Sequence, residues 1–403
     1  MENIKVKIKF LIKLIMNSFI KIITIFIKKD SQILIIGSWF GERFADNSKY
    51  LYLYLNENKE KYNLKKIIWI TGNKNIKRQI EEELKYEVYM KYSLKSIYYH
   101  LKAKFHIIDQ SSKDILNILS VGAIKINLWH GIPLKKIGAF MKNMVNFKPT
   151  IEIGNWEKKY VLSCSKFGAE TIGKAFYVSK ERMINGIYPR NYYLINKNKK
   201  ILNIEKEYLE IIEKKKKENK KIIIYLPTFR DNKELIFLGE KNKEKLKSFF
   251  KFLENNNYYL ITKLHFAGNR VINEGRDKIE ENRQYFLNLP SEVDVYPILK
   301  ESDILITDYS SVYFDFLYLD KDIIFYSYDL PYYRDEDRGL IFEYDEMTPG
   351  DKVYTIEELR KNLRRKCYQR DNYSQERKKL LELCFENYTI EDTVKNILSI
   401  KEE

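Results

Sequence analysis

From residue 31 onward the chain repeats one pattern, a short aliphatic run followed by a longer stretch with apolar residues at helical spacing. That alternation predicts strands joined by helices and a mostly parallel sheet, because parallel neighbours need a long crossover between them. Strands are expected at 32–37, 66–71, 105–109, 125–129 and 160–163, then at 221–226, 258–264, 303–307 and 322–326. Two Rossmann-like domains follow, at 30–215 and 216–403, with 196–221 as a solvated connector whose run Lys214-Lys215-Lys216-Lys217 forms an exposed face. After Gly350 helices are expected at 356–367, 375–386 and 391–401, closing the second domain.

Residues 1–29 break this pattern. They carry seven lysines and one glutamate among aliphatic residues. Lys13, Asn17, Ser18 and Lys21 interrupt every window long enough to span a bilayer. Ile27 is followed by Lys-Lys-Asp rather than a small-residue cleavage site. A basic amphipathic segment lying on an anionic membrane surface is the expectation, with an ordinary packed first helix as the alternative.

The 403 residues, 44% of them hydrophobic, suffice for two cores and exclude a disordered tail or a disulfide scaffold. Lys+Arg 72 against Asp+Glu 56 gives +16, which favours polyanions, phosphorylated substrates or an anionic membrane as partners. Lysine is abundant throughout, so charge alone selects no function. Cys164, Cys367 and Cys384 show no C-x-x-C spacing and fit a reducing compartment. The chain has four histidines, His100, His106, His130 and His265, so acid–base chemistry near neutral pH has few candidates.

In open parallel sheets ligands bind beyond the carboxyl ends of the strands. Just past the predicted strands stand His130-Gly131-Ile132-Pro133-Leu134-Lys135-Lys136, Pro227-Thr228-Phe229-Arg230-Asp231, His265, and Thr307-Asp308-Tyr309-Ser310-Ser311. An imidazole at His130, beside a glycine that permits close approach, suits proton transfer from an attacking hydroxyl. A histidine satisfied by local hydrogen bonds is the structural alternative. Ser310 or Ser311 is expected to cap the helix that follows, aiming its free amides at the cleft as an anion site. Arg230 offers a planar fork for phosphate oxygens, or else pairs with Asp231 at the surface. No G-x-G-x-x-G follows the first strand, and there is no Walker loop or G-x-S-x-G elbow. Asp335-Glu336-Asp337 matches a D-x-D metal motif in form, but it follows Pro331-Tyr332-Tyr333-Arg334 and reads as an exposed loop.

In their order, His130-Gly131-x-Pro133-Leu134-Lys135, Pro227-Thr228-Phe229-Arg230-Asp231, Lys263-Leu264-His265, Thr307-Asp308-Tyr309-Ser310-Ser311 and Arg338-Gly339-Leu340-Ile341-Phe342 with Pro349-Gly350 resemble the CDP-glycerol glycerophosphotransferase family of teichoic-acid and capsule synthesis. Asp46-Asn47-Ser48-Lys49 followed by Tyr52 also resembles a pattern near the start of those enzymes. The resemblance implies a GT-B fold, with an acceptor-binding first domain, a CDP-alcohol-binding second domain and the active site between them. It implies a peripheral enzyme on the cytoplasmic membrane face. Glycerol phosphate, or ribitol phosphate in relatives, would pass from the CDP-alcohol to a lipid-linked saccharide or polymer, releasing CMP.

By the same resemblance His130 is the catalytic base and His265 the second essential histidine. Thr228, Arg230, Thr307, Asp308, Ser310, Ser311 and Lys135 would hold the donor. The implied partners are CDP-glycerol or CDP-ribitol, the acceptor and an anionic membrane surface, with no nucleic acid. No motif requires a cofactor or dedicates ligands to Mg²⁺. Ile132 and Phe229 depart from the Thr and Trp of many relatives, which bears on substrate detail. The absence of a long leading region resembles a primase-like or single-module enzyme. A GT-B glycosyltransferase using a nucleotide sugar, and a non-enzymatic polyanion or membrane binder, are the competing readings.

Overall fold

A computed structural model describes residues 26–141, 159–196, 200–228, 230, 236–263 and 285–401. Residues 1–25, nearly all of the basic segment, and His265 therefore lie outside the described residues.

The first sheet contains β1 (Asp30–Ile36), β2 (Lys66–Thr71), β3 (Val88–Met90), β4 (Ala103–Ile108), β5 (Ile124–Asn127), β6 (Tyr160–Ser163) and β7 (Met183–Asn185), in the order β3-β2-β1-β4-β5-β6-β7. The second contains β8 (Lys221–Leu226), β9 (Tyr258–Thr262), β10 (Phe286–Asn288), β11 (Ile304–Thr307), β12 (Asp322–Tyr326) and β13 (Asp351–Val353), in the order β10-β9-β8-β11-β12-β13. Every pairing is parallel. Inner strands such as Ile222-Ile223-Ile224-Tyr225 are buried on both faces, which is why they read as unbroken aliphatic runs. In both sheets the order reverses once, between β1 and β4 and between β8 and β11, and at such switch points loops diverge to leave a ligand crevice.

The largest apolar cluster is continuous from Leu34 and Trp69 in the first domain to Leu305 and Phe325 in the second, so the two sheets share a core. Backbone pairing reinforces it. Lys136 N–H donates to the Gly339 carbonyl (2.9 Å) and Ile341 N–H to that of Leu134 (2.8 Å), joining the two motif loops across the domains.

Two helices near the expected domain bounds pack across them. The boundary at 215/216 falls inside the helix Asn203–Lys217, which packs on β8 and on the helix Val295–Glu301 of the second domain. Its buried Ile212 and half-buried Tyr208 and Leu209 form a narrow apolar stripe, obscured in the sequence by the lysines around it. The last helix, Ile390–Leu398, packs on β7 of the first domain. Its Thr393 hydroxyl donates to the Ile187 carbonyl (3.0 Å) and Asn396 Nδ2 to that of Asn185 (2.8 Å). No described helix is long and apolar enough to cross a membrane.

Candidate active site

On the first-domain side the helix Asp46–Glu57 begins without a capping side chain of its own. Asp109, just past β4 at the switch point, supplies the cap. Its carboxylate accepts the Ser48 N–H (3.0 and 3.1 Å) and the Ser38 hydroxyl (2.7 Å), satisfying an amide the helix leaves open. Burial, and after it the neighbouring Asp46, push the Asp109 carboxyl well above the usual range. Asn47 Nδ2 donates to the Trp129 carbonyl (2.7 Å), while the Trp129 N–H donates to Asn127 Oδ1 (2.7 Å). These bonds hold Trp129 at φ 56°, a left-handed conformation that L-residues adopt at a cost. His130 is the next residue.

The half-buried His130 ring lies 3.8 Å from the Trp129 ring, centroid to centroid, and its Nδ1 has no partner among the described residues. Burial lowers its pKa to about 4. The Asp46 carboxylate pulls upward, and Arg190 and Lys135 push down. A backbone hydrogen bond to Asp109 also pulls upward, but burial outweighs it and the ring is neutral at physiological pH.

Across the interface Thr307 and Asp308 close β11. The Thr307 hydroxyl donates to the Leu226 carbonyl (2.8 Å), so it joins strand ends. Asp308 accepts the N–H groups of Thr228 (2.8 Å) and Tyr309 (2.5 Å) and Nη2 of Arg230 (2.8 Å). Arg230 is fully buried. It also donates to both Asp329 oxygens (2.8 and 2.9 Å) and to the Thr228 carbonyl (2.6 Å), among the rings of Tyr309, Tyr328 and Tyr333. Its fork thus braces two loops in this structure. The Thr228 hydroxyl is buried without a partner among the described residues.

Helix capping by the serines is not observed. Ser311 occupies the cap position of the helix Val312–Phe316, but its side chain makes no capping bond, and the helix has five residues before it tightens into a 3-10 turn. With so short a helix there is little dipole to aim. Ser310 and Ser311 are half-buried. Gly131, at φ 116°, brings the two sides together, because a Cβ there would lie 2.9 Å from Arg190 Nη2 and 3.6 Å from the Ser311 hydroxyl. Lys135 forms an antiparallel bridge with Leu340. His130, Lys135 and Ser311 therefore converge where the domains meet, whereas Thr228, Arg230, Thr307 and Asp308 form one buried cluster at the second switch point. Lys263 is the last described residue before His265. Its Nζ donates to the Val293 carbonyl, and burial lowers its ammonium to about 8.

Several residues absent from the strand-end reading organise this site. Arg190 donates to Asp46 (2.5 Å) and Asp315 (2.7 Å), and Tyr296 O–H also donates to Asp315 (2.7 Å), so one buried guanidinium ties both domains behind His130. Lys49 pairs with Glu205 and with Asp294 (3.0 Å) in the same manner. Asp109 and Asp329 follow strands β4 and β12, and scanning every strand end would have found them. Arg190 and Asp315 sit on helices, and no local signal marks them. Asp335 pairs with Arg334, and no metal-holding group of three His, Cys, Asp or Glu occurs among the described residues.

Two parallel-sheet domains, each with one strand-order switch point and joined through a shared core, define a protein of the GT-B-like fold class. The chain belongs to the CDP-glycerol:poly(glycerophosphate) glycerophosphotransferase family, which residues 18–392 match. It is 30% identical over 345 residues to a teichoic acid poly(glycerol phosphate) polymerase of Bacillus spizizenii, covering 82% of each chain. It is 28% identical over 335 residues to a teichoic acid glycerol-phosphate transferase of Staphylococcus aureus, covering 80% of each. A structure of the wall teichoic acid polymerase TagF superposes with a TM-score of 0.71 at 24% identity, over 92% of this chain and 88% of that one, and shares the fold. The chain is accordingly a glycerophosphotransferase, and sugar transfer is not favoured.

Proposed function

We propose that the enzyme transfers glycerol phosphate from CDP-glycerol to a hydroxyl of a teichoic-acid-type polymer or its lipid-linked primer, releasing CMP. It works at the cytoplasmic membrane face, held in part by residues 1–29. His130 takes the acceptor proton as the acceptor oxygen attacks the phosphorus that bears glycerol. The new P–O bond forms as the bond to CMP breaks, and CMP leaves with the electron pair and a phosphate charge that His265 neutralises or protonates. Positioning and charge stabilisation provide most of the acceleration in phosphoryl transfer. Ser310, Ser311, Thr228 and Lys135 contact the donor, while Arg230, Thr307 and Asp308 shape the loop that receives it. The observation that carries this reading is His130 on a loop whose next residue, Gly131, lies against Ser311 of the second domain, with the imidazole kept neutral by burial.

The test is CMP release from CDP-glycerol, with CDP-ribitol and a nucleotide sugar in parallel and membrane lipid extract as acceptor. CMP formed from a CDP-alcohol by the wild type, and reduced about 10²–10⁴-fold in His130→Ala, is the expected result. Nucleoside diphosphate from the nucleotide sugar alone would transfer the reading to glycosyl chemistry. Imidazole NMR provides a second check. Because the ring's pKa is about 4, His130 stays neutral as pH falls from 8 to 5. Titration near the ordinary value of about 6.5 would contradict the burial argument.

A further inference from the structure

The helix Leu94–Lys102, between β3 and β4, covers a face of the first sheet built around the small cluster of Ile33, Ile35, Ile68 and Ile70. Its outer stripe is unusual for a solvated helix. Leu94 is 85% exposed, Tyr98 54%, and Tyr92 in the preceding turn 79%. Residues 94, 98 and 101 recur at helical spacing, so the stripe runs about 10 Å along the helix. Tyr89 stacks on Tyr99 (5.6 Å between centroids), with Lys95 5.8 Å from the first ring and Lys66 5.3 Å from the second. From 88 to 108 the sequence holds Lys91, Lys95, Lys102 and Lys104 and no acidic residue, while Glu87 just before it pairs with Lys66 and accepts the Tyr89 hydroxyl (2.9 Å).

Tyrosines flanked by lysines, with an aliphatic residue projecting between them, have the composition of a surface at a lipid–water boundary. The place where the chain enters the fold agrees. Lys29 Nζ donates to the His100 carbonyl near the end of this helix (3.4 Å), and Phe26 nearby is 83% exposed. The basic segment thus enters the described fold at Phe26–Lys29, at one end of the stripe.

We infer that the outer face of Leu94–Lys102, with Tyr92, is a second contact with an anionic membrane, beside the point where Phe26–Lys29 enter the fold. It deepens the proposed membrane setting and rests on it. The helix follows the carboxyl end of β3, so Tyr92 and Leu94 stand at the cleft end of the sheet and Lys102 at the other. Laid along a bilayer, this edge opens the cleft beside the membrane, where a lipid-linked acceptor is anchored.

The experiment is flotation of the full chain with vesicles of phosphatidylcholine, with and without phosphatidylglycerol. Wild type is compared with the triple variant Tyr92→Ser, Leu94→Ser, Tyr98→Ser and with the double variant Lys95→Gln, Lys102→Gln. Self-association and CMP release with a water-soluble acceptor are measured alongside. The triple variant should lose roughly tenfold in partitioning to anionic vesicles at unchanged turnover on the soluble acceptor, and the double variant should lose binding to anionic vesicles only. Triple-variant partitioning within about twofold of wild type would overturn the inference and leave the segment 1–29 as sole anchor. A triple variant that changes self-association but not vesicle binding would overturn it in favour of a contact between copies. Wild type that transfers to the soluble acceptor yet ignores both vesicles would remove the membrane setting itself while sparing the transferase.

Discussion

Each domain ends the strand beyond its switch point in a buried aspartate, Asp109 after β4 and Asp308 after β11, and the two are satisfied in opposite ways. Asp109 meets neutral donors, an amide and a hydroxyl, at the start of a helix. Asp308 meets two amides and the guanidinium of Arg230, which a second carboxylate, Asp329, also holds. The first domain thus satisfies its strand-end aspartate without a cation, Arg190 being held instead by Asp46 and Asp315, and the histidine beside it is kept neutral by burial. The second stores a cation and two anions below the loop that is to receive a charged donor. One topology therefore sustains a neutral wall and an ionic wall, and the partners of the aspartate that both strand ends share separate them.

The ionic wall should be the more fragile. Arg230→Met leaves Asp308 and Asp329 facing each other without their cation, and removing one partner of a buried ion pair costs about 3–5 kcal/mol. Chemical denaturation should show a loss of that size. A loss below about 1 kcal/mol would mean that solvent reaches the pair and that the wall is not dry.

Next in size is the link between the neutral wall and the base. Asn47→Leu keeps the shape of the side chain but orphans the Trp129 carbonyl and the Arg190 N–H, at about 1–3 kcal/mol for a buried group. Because Trp129 holds His130 from a left-handed conformation, kcat should fall while KM for CDP-glycerol stays within about twofold, as a purely positional effect on the base requires. Equal changes in kcat and in stability of Asn47→Leu and of a remote core variant would reduce Asn47 to packing.

The same contrast explains what the sequence made legible. All nine strands with aliphatic runs were readable, and the four that were not, Val88–Met90, Met183–Asn185, Phe286–Asn288 and Asp351–Val353, are the four sheet edges. Each is three residues long and only partly buried, so it has neither the length nor the apolar run of an inner strand. Among the candidate residues, looking past each aliphatic run located His130, Thr228, Arg230, Thr307, Asp308 and the serines. It did not show their partners. That Arg230 is clasped by Asp329, 99 residues later, and that Arg190 reaches Asp315 across the domains, depends on how two sheets dock, which no local pattern records.

The smallest effect tests the neutral wall directly. In Asp109→Asn one oxygen still accepts the Ser48 N–H, while the new amide faces a donor, so the loss at acidic pH should be roughly 1 kcal/mol. Its pH dependence carries the information. The folded pKa of Asp109 is raised above its unfolded value, so its contribution to stability is fully present below the ordinary carboxylate range and is lost as pH rises through the folded value. Asparagine does not titrate. The stability gap between wild type and Asp109→Asn should therefore narrow from pH 4 to pH 8 in denaturant titrations. A gap that widens over that range would mean that a nearby cation holds Asp109 as an anion, and the contrast with the Arg230-paired wall would disappear.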